Sequence, residues 1–106
     1  MPFLTLSDID KNEIFPGCEV RFIHSQNMTF AHWELAPDAR IPDHSHPHEQ
    51  VATCFEGEFE FTVAGETRRL GPGEVAVIPP DAPHSGRAIT ECRILDVFYP
   101  VRDDYR

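Results

Sequence analysis

Four residues between positions 44 and 50 have the types and the spacing of metal ligands. Histidines stand at every second position, His44, His46 and His48, and Gln50 follows two residues later. In an extended strand alternate side chains point to the same side, so these imidazoles can reach one point, and spacing alone does not decide between His44 and His48. A further histidine, His84, follows the segment IPPDAP. Three imidazoles and an amide oxygen would bind a divalent first-row metal; the alternative is a solvated cluster of loop histidines.

The elements that must position these residues are short strands separated by turns. Runs rich in β-branched and aromatic residues alternate with turn residues, among them ten prolines and six glycines. Since no window shows a helical period, the pattern predicts an all-β sandwich or barrel. We expect one domain, with residues 1–17 as an N-terminal arm, residues 18–100 as a β-barrel and residues 101–106 as a polar tail. The predicted strands cover residues 19–24, 28–35, 51–55, 59–63, 67–70, 74–78 and 92–99.

The charge balance restricts the classes of partner. The 106 residues carry a formal net charge of −9 and contain no basic stripe, which argues against nucleic acid and anionic membranes as partners. An acidic small molecule would therefore need a local cation, either a metal or a few arginines. The N-terminus lacks the basic-then-apolar pattern of a signal peptide, so we expect the protein in the cytoplasm.

Three cysteines, Cys18, Cys54 and Cys92, are spaced too widely for a C-x-x-C motif. An odd number of cysteines without a secretion signal is typical of reduced thiols. We therefore expect each of them to be a small buried apolar residue.

The last predicted strand contains a carboxylate in an otherwise apolar run. Asp96 lies between Leu95 and Val97, so it either faces solvent, pairs with an arginine, or lies on an interior wall. In the interior, burial would raise its pKa and a nearby metal would lower it, which would suit a general acid and base. Arg102 is either a carboxylate-binding residue or a surface residue of the tail. Of the aromatics, Trp33 is more simply explained by core packing than by a sugar pocket.

Two motifs resemble those of the cupin superfamily. The pattern H-x-H-x3-Q-x6-G begins at His44, and the pattern G-x5-P-x4-H begins at Gly73. The family has a glutamate where this chain has Gln50, and a glycine where it has Asp81. The resemblance implies a small double-stranded β-barrel of the jelly-roll kind with one metal at its centre. The implied metal ligands are His44, His46, Gln50 and His84.

A closer resemblance is to the small cupins of the pectin-degradation KdgF type. It rests on the segments HSHPHEQ, GEFEFTVAGE, IPPDAPH and LDVFYPVRDDY. It implies an enzyme that converts 4,5-unsaturated uronate monosaccharides, released by pectin or alginate lyases, to linear 5-keto-4-deoxyuronate. The catalytic roles implied by the resemblance fall on Asp96, Phe98 and Arg102.

The resemblance also sets expectations for cofactor and assembly. No redox change is needed, so zinc, nickel, manganese or iron could each serve as the metal. We expect a homodimer formed through an N-terminal strand or a sheet face. The alternatives are a metal-dependent cupin dioxygenase and a cupin that binds a sugar or another metabolite without turnover.

Overall fold

The computed structural model describes residues 2–106 and consists of short strands joined by turns. Two 3-10 helices of three residues each, Leu6–Asp8 and Asp103–Tyr105, lie near the ends of the chain. Within residues 2–106, no helix has the length and apolarity needed to cross a membrane. The strands are β1 (Asn12–Phe15), β2 (Cys18–His24), β3 (Thr29–Leu35), β4 (Arg40–His44), β5 (Glu49–Glu56), β6 (Phe59–Val63), β7 (Glu66–Leu70), β8 (Val75–Ile78), β9 (His84–Ala88) and β10 (Cys92–Tyr99).

The strands form two antiparallel sheets that face each other. The six-stranded sheet has the order β1-β2-β3-β10-β5-β8, and the four-stranded sheet has the order β4-β9-β6-β7. Over residues 2–106 the two sheets are not joined by hydrogen bonds into a closed barrel. The arrangement is a jelly roll, so the all-β prediction is confirmed, and the interior lies between the two sheets.

Alternate residues of the two central strands point into this interior. The residues Thr29, Ala31, Trp33 and Leu35 of β3 are buried, and so are Cys92, Ile94, Asp96 and Phe98 of β10. Of the alternatives for Asp96, the interior position is therefore the one that the structure shows. The three cysteines are buried free thiols, as expected from their number and spacing.

The sequence patterns did not predict three of the strands, β1, β4 and β9. The sequences of β4 (RIPDH) and β9 (HSGRA) contain proline, glycine and charged residues, which disfavour strands locally. Both segments form strands because they pair within the four-stranded sheet. β4 pairs with β9, and β9 also pairs with β6. Tertiary pairing thus overrides local propensity at the two strands that carry His44 and His84.

Three positions of the sequence motifs, Gly57, Gly73 and Asp81, lie in turns with positive φ. Gly57 ends β5 with a φ of +87°, and a Cβ there would lie 2.0 Å from the Glu91 carbonyl oxygen, so only glycine fits. Asp81 has a φ of +67°, in the left-handed region where aspartate is tolerated better than most non-glycine residues. The N–H of Asp81 donates to the carbonyl of His46 at 2.8 Å, so this turn fixes the connection from β4 to β5 that contains His46.

Candidate metal centre

Three histidines converge between the sheets. His44 ends β4 and His84 begins β9, and the two residues are direct cross-strand partners. His46 lies in the connection from β4 to β5. The ring of His84 lies 4.1 Å from that of His44 and 4.9 Å from that of His46, centroid to centroid. One ring nitrogen from each histidine lies within 4.8 Å of the other two, which is close enough to hold one metal ion.

Backbone carbonyls fix the tautomer of all three rings. In each histidine Nδ1 lies within hydrogen-bond distance of a carbonyl oxygen, and because a carbonyl only accepts, Nδ1–H must be the donor. The acceptors are Pro42 O for His44 (2.8 Å), His48 O for His46 (3.1 Å) and Ala82 O for His84 (2.9 Å). In the neutral rings Nε2 therefore carries a lone pair, which is the form that binds metals.

The Nε2 atoms lack the donors that these lone pairs need. Nε2 of His84 is buried without a hydrogen-bond partner, and Nε2 of His46 lies 3.1 Å from Oε1 of Gln50, which is also an acceptor. Burial, followed by the positive charge of Arg102, lowers the pKa of His46 to about 4, so this ring is neutral near pH 7. Burial likewise lowers the pKa of His84. A cation among these atoms would satisfy both histidines and the amide, and the donor set fits a divalent first-row metal.

His48 lies outside this group. A bend at residues 47 and 48 follows His46, and the nitrogens that lie within 4.8 Å of one another belong to His44, His46 and His84 and not to His48. The expectation that alternate positions of one strand present all three histidines is wrong, because the strand ends at His44. Geometry therefore favours His44 over His48 as the partner of His46 and His84.

The six-stranded sheet supplies the opposite wall of the centre. Gln50 on β5 pairs with Phe98 on β10, which brings the amide beside an aromatic ring. The ring of Phe98 lies 5.5 Å from that of His46, in an edge-on arrangement. The three residues thus join the two sheets at the metal centre.

Asp96 lies on the interior wall and is 6% exposed. Its cross-strand neighbours are Ala31 and Ala52, whose small side chains leave room for the carboxyl group. Trp33 Nε1–H donates to Asp96 Oδ2 at 3.0 Å, while Oδ1 is buried without a hydrogen-bond partner. The solvent-facing alternative for Asp96 is therefore wrong, and Trp33, expected as a core residue, also orients this carboxyl.

Burial dominates the acidity of Asp96. It raises the pKa of this carboxyl from its ordinary 3.8 to about 7, against the opposing effects of Gln50, Trp33 and Arg102. A carboxyl group with this pKa can both give and take a proton near neutral pH. The unpartnered Oδ1 is the atom available for that exchange.

Arg102 is 6% exposed and lies against the cavity that contains Asp96. Its Nε–H and Nη2–H donate to the two carboxylate oxygens of Asp104 at 3.0 and 2.7 Å. The guanidinium lies between two aromatic rings, 4.8 Å from the centroid of Phe98 and 4.3 Å from that of Tyr105. Nη1 remains buried without a hydrogen-bond partner, so the alternative of a surface arginine is wrong.

Tyr105 is the cavity residue that sequence reasoning missed. It lies in a tail of six residues that reads as polar, and its one signal is that it is the aromatic residue of the segment VRDDYR. Its ring stacks on Phe22 at 4.5 Å and covers the guanidinium of Arg102. Only the folded sheet shows that the tail returns to the interior.

The cavity between the sheets has a volume of about 230 Å³. This is below the ~300–1,000 Å³ of sites for drug-sized ligands, so it suits a smaller molecule than these. Its lining combines polar and apolar side chains. The polar ones include His44, His84, Asp96 and Arg102, and the apolar ones include Phe15, Leu35, Ile41, Phe59 and Phe61.

The sequence profile of the cupin domain matches residues 31–98, more than half of the chain. The chain belongs to the cupin family. The matched region contains the three histidines, Gln50 and Asp96. This cupin is also similar in structure to KdgF from Halomonas sp., with a TM-score of 0.93 and 28% identity over 100% of this chain and 99% of that one.

Two further relatives extend the comparison. An RmlC-like cupin from Shewanella frigidimarina NCIMB 400 has the same fold, with a TM-score of 0.94 and 24% identity over 100% of this chain and 96% of that one. The dimethylsulfoniopropionate lyase DddQ of Ruegeria pomeroyi is 43% identical over 47 residues. That alignment covers 43% of this cupin and only 23% of the lyase, so this cupin matches a small part of the lyase's length.

Proposed function

We propose that this cupin is a metal-dependent enzyme that converts 4,5-unsaturated uronate monosaccharides to linear 5-keto-4-deoxyuronate. The observation that carries the proposal is a buried carboxyl, Asp96, with an unpartnered Oδ1. It lines the same small cavity as His44 and His84 of the three-histidine group and as Arg102, whose Nη1 is also unpartnered. The similarity to KdgF and the motifs of that group support the choice of substrate.

Binding of the substrate would begin at its carboxylate. In a protein with a net charge of −9, a carboxylate needs a local positive group, and Arg102 Nη1 is a buried donor without a partner. Asp104 and the rings of Phe98 and Tyr105 hold the guanidinium in one orientation. The carboxylate would thereby be fixed relative to Asp96 before any bond breaks.

The reaction is an isomerisation that needs only proton transfers. The hydroxyl proton at C1 leaves, the C1–O5 bond breaks to give an aldehyde, and O5 takes up a proton as an enol. The enol then loses that proton and C4 gains one, which yields the ketone at C5. Asp96, with its pKa raised to about 7, would take and return these protons, and Phe98 would exclude water from the ring.

The metal would be held by the Nε2 atoms of His44, His46 and His84 and by Oε1 of Gln50. When bound, it would act as a Lewis acid that stabilises negative charge developing on the substrate oxygens. Because all four ligands are neutral, a divalent ion would keep its full charge, whereas a glutamate at position 50 would reduce it. Zinc, nickel, manganese and iron remain the expected metals.

The deciding experiment follows the C4=C5 ultraviolet absorbance of freshly made unsaturated galacturonate. We expect the metal-loaded protein to remove this absorbance faster than the buffer control, and a chelator to abolish the acceleration. Asp96→Asn should lower kcat by at least about 10²-fold, the usual contribution of a general acid or base. Its metal content should remain that of the wild type, because Asp96 is not among the proposed ligands.

The outcomes separate the alternative functions. Acceleration that survives in Asp96→Asn would reject the proton-transfer role of this residue. No acceleration on uronates from pectin or alginate would reject the proposed reaction. Oxygen uptake with a substrate would then favour the dioxygenase, and stabilisation by a ligand without turnover would favour the binding protein.

A second candidate, a lyase acting on a small acid, is favoured by the local similarity to DddQ and by the aromatic rings in the cavity lining. Dimethylsulfoniopropionate has a carboxylate that Arg102 would bind and a dimethylsulfonium cation that aromatic faces would attract. In such a reaction Asp96 would remove a proton beside the carboxylate as dimethylsulfide leaves and acrylate forms. Release of dimethylsulfide from dimethylsulfoniopropionate, measured by gas chromatography, would distinguish this candidate.

A further inference from the structure

The hydroxyl of Thr29 joins the beginning of β3 to the C-terminal segment. Thr29 is completely buried, and its Oγ1 accepts the backbone N–H of Arg102 at 2.9 Å. The same oxygen lies 2.9 Å from Nδ1 of His24 at the end of β2. Nε2 of His24 in turn lies 3.2 Å from the carbonyl oxygen of Tyr105. The Thr29 hydroxyl thus contacts Arg102 directly and is connected to Tyr105 through His24.

The directions of these hydrogen bonds follow from the atoms involved. The Tyr105 carbonyl can only accept, so Nε2–H of His24 is the donor, and Nδ1 of the neutral ring carries a lone pair. The Thr29 hydroxyl therefore donates to Nδ1 of His24 and accepts from Arg102 N–H. Every donor in this hydrogen-bond network is paired with an acceptor, which is the condition for a stable buried network.

The segment held in this way presents two cavity groups. The backbone of Arg102 is fixed by Thr29, and its guanidinium is fixed by Asp104 and by the rings of Phe98 and Tyr105. Tyr105 is fixed by its carbonyl and by stacking on Phe22 at 4.5 Å. Without the Thr29 hydroxyl, the Arg102 N–H would be buried without an acceptor, and the segment would have to move to reach water.

We propose that Thr29 is a positioning residue: it holds the C-terminal segment so that Arg102 Nη1 faces the cavity and binds the substrate carboxylate, and His24 orients its hydroxyl. The role of Arg102 toward a carboxylate rests on the proposed function. The role of Thr29 toward the segment rests on the hydrogen bonds alone. The two parts can therefore be tested separately.

The first test compares two substitutions that differ only in the hydroxyl. Thr29→Val keeps the shape but removes the hydroxyl, and it should raise KM for unsaturated galacturonate at least about tenfold with little change in kcat, as expected when a binding contact is misplaced. Thr29→Ser keeps the hydroxyl and should stay close to the wild type. Thr62→Val is a matched control, since Thr62 bonds Thr67 at an exposed position and does not line the cavity, and its KM should not change.

The second test needs no substrate. Trypsin cuts after arginine only where the chain opens, and Arg102 is buried in the wild type. We expect Thr29→Val to be cut after Arg102 at least about tenfold faster than the wild type and Thr29→Ser, with mass spectrometry detecting the loss of residues 103–106. His24→Phe should show the same increase, and the double variant should add little to either single one.

Each combination of results decides a part of the proposal. If Thr29→Val resembles the wild type in both tests, Thr29 does not hold the segment. If cleavage accelerates while KM stays unchanged, the hydroxyl is structural only and the positioning role is rejected. If the wild type does not convert uronates, the proposed function fails, and the cleavage rates alone still decide whether Thr29 holds the segment. If Thr29→Val does not fold, His24→Phe is measured in its place.

Discussion

Burial shifts the pKa values of two neighbouring site residues in opposite directions. Asp96 moves from 3.8 up to about 7, and His46 moves from 6.5 down to about 4. Both changes favour the neutral form, so without metal the two groups are uncharged together around pH 5 to 6. Both side chains are therefore buried in their neutral forms. Because the unfolded chain ionises them at other pH values, the free energy of unfolding depends on pH.

The first prediction concerns this pH dependence in the metal-free protein. Between about pH 4 and 7 the unfolded state ionises Asp96 and the folded state does not, so this residue lowers the free energy of unfolding as pH rises. His46 acts in the opposite sense: its stabilising contribution is complete above about pH 6.5 and is lost as pH falls toward 4. Asp96→Asn removes the first effect and leaves the second.

We therefore expect the difference in unfolding free energy between Asp96→Asn and the wild type to rise with pH from about 4 to 7. The rise should be a few kcal/mol, since one pKa unit corresponds to about 1.4 kcal/mol. Urea unfolding in the presence of a chelator, at several pH values, measures it. A difference that is constant with pH would show that Asp96 titrates normally in the folded protein.

The second prediction concerns Gln50→Glu, which introduces the residue typical of the cupin motif. Without metal, a second carboxyl beside Asp96 should lower Tm near pH 7, because two buried acidic groups repel when they ionise. With metal, the anionic ligand should bind more tightly than the amide, by about tenfold or more in Kd. Thermal unfolding with chelator and a metal titration measure the two effects, and Gln26→Glu on the exposed surface is the matched control.

The sequence alone indicated most residues of the candidate site, and there are physical reasons why it did not settle the positions of His48 and Tyr105. His44, His46, Gln50 and His84 are recognisable because metal ligands require particular residue types at fixed spacing. His48 has the same type and parity, and only the bend after His46 separates it. Tyr105 carried almost no signal, because its position depends on how the tail returns across the sheet.

Among the elements, β9 is the one on which the site depends most. It carries His84 and also Gly86, where an added Cβ would lie 2.1 Å from Cζ of Phe59. The backbone of β9 at Gly86 therefore packs directly against the buried ring of Phe59, which sets the distance between this strand and the core. Local sequence could not predict β9, because this packing and its pairing with β4 and β6 come from distant parts of the chain.

The third prediction is that Gly86→Ala lowers the free energy of unfolding by about 1–3 kcal/mol, the usual cost of overpacking a core. It should also weaken metal binding, because the displaced strand carries His84. Gly71→Ala is the control, since a Cβ there meets only the ends of flexible glutamate side chains at 3.4 Å or more. Equal stability of the two variants in urea would contradict the close approach.

At the scale of the whole molecule, the outer surface of the six-stranded sheet carries an apolar row. Cross-strand pairing aligns five strands so that the row consists of Val77, Val51, Val97, Phe30 and Ile23. Its edge strand, β8, leaves Val77 64% exposed. In a chain with a net charge of −9, an uncharged row is where a second copy would meet least repulsion.

The fourth prediction follows from this row: the protein forms a homodimer through the outer surface of the six-stranded sheet. Val77→Glu should shift it to a monomer, because it places two buried like charges in the interface. Thr67→Glu adds the same charge on the other sheet and should leave the dimer intact. Light scattering after size-exclusion chromatography measures the mass, and a monomeric wild type would reject the prediction.

The fold as a whole was easier to predict than its function. Turn residues at short intervals and the two cupin motifs required an all-β jelly roll, since few other arrangements bury so many short strands. The proposed substrate depends on the unpartnered atoms of Asp96 and Arg102 and on the shape of one cavity. Residues on seven strands and the tail line that cavity. Such a shape leaves no contiguous pattern in the sequence.

The histidine tautomers are fixed by main-chain carbonyls, and this has a consequence for how the protein tolerates change. A side-chain partner can be lost by a single substitution, but the carbonyls of Pro42, His48 and Ala82 are present whatever residues occupy those positions. The orientation of the three imidazoles therefore does not depend on the side chains at positions 42, 48 and 82, whereas the charge of the candidate site depends on the side chain at position 50. Substitutions around the candidate metal centre would therefore alter its charge and its cavity while the three imidazoles keep their orientation.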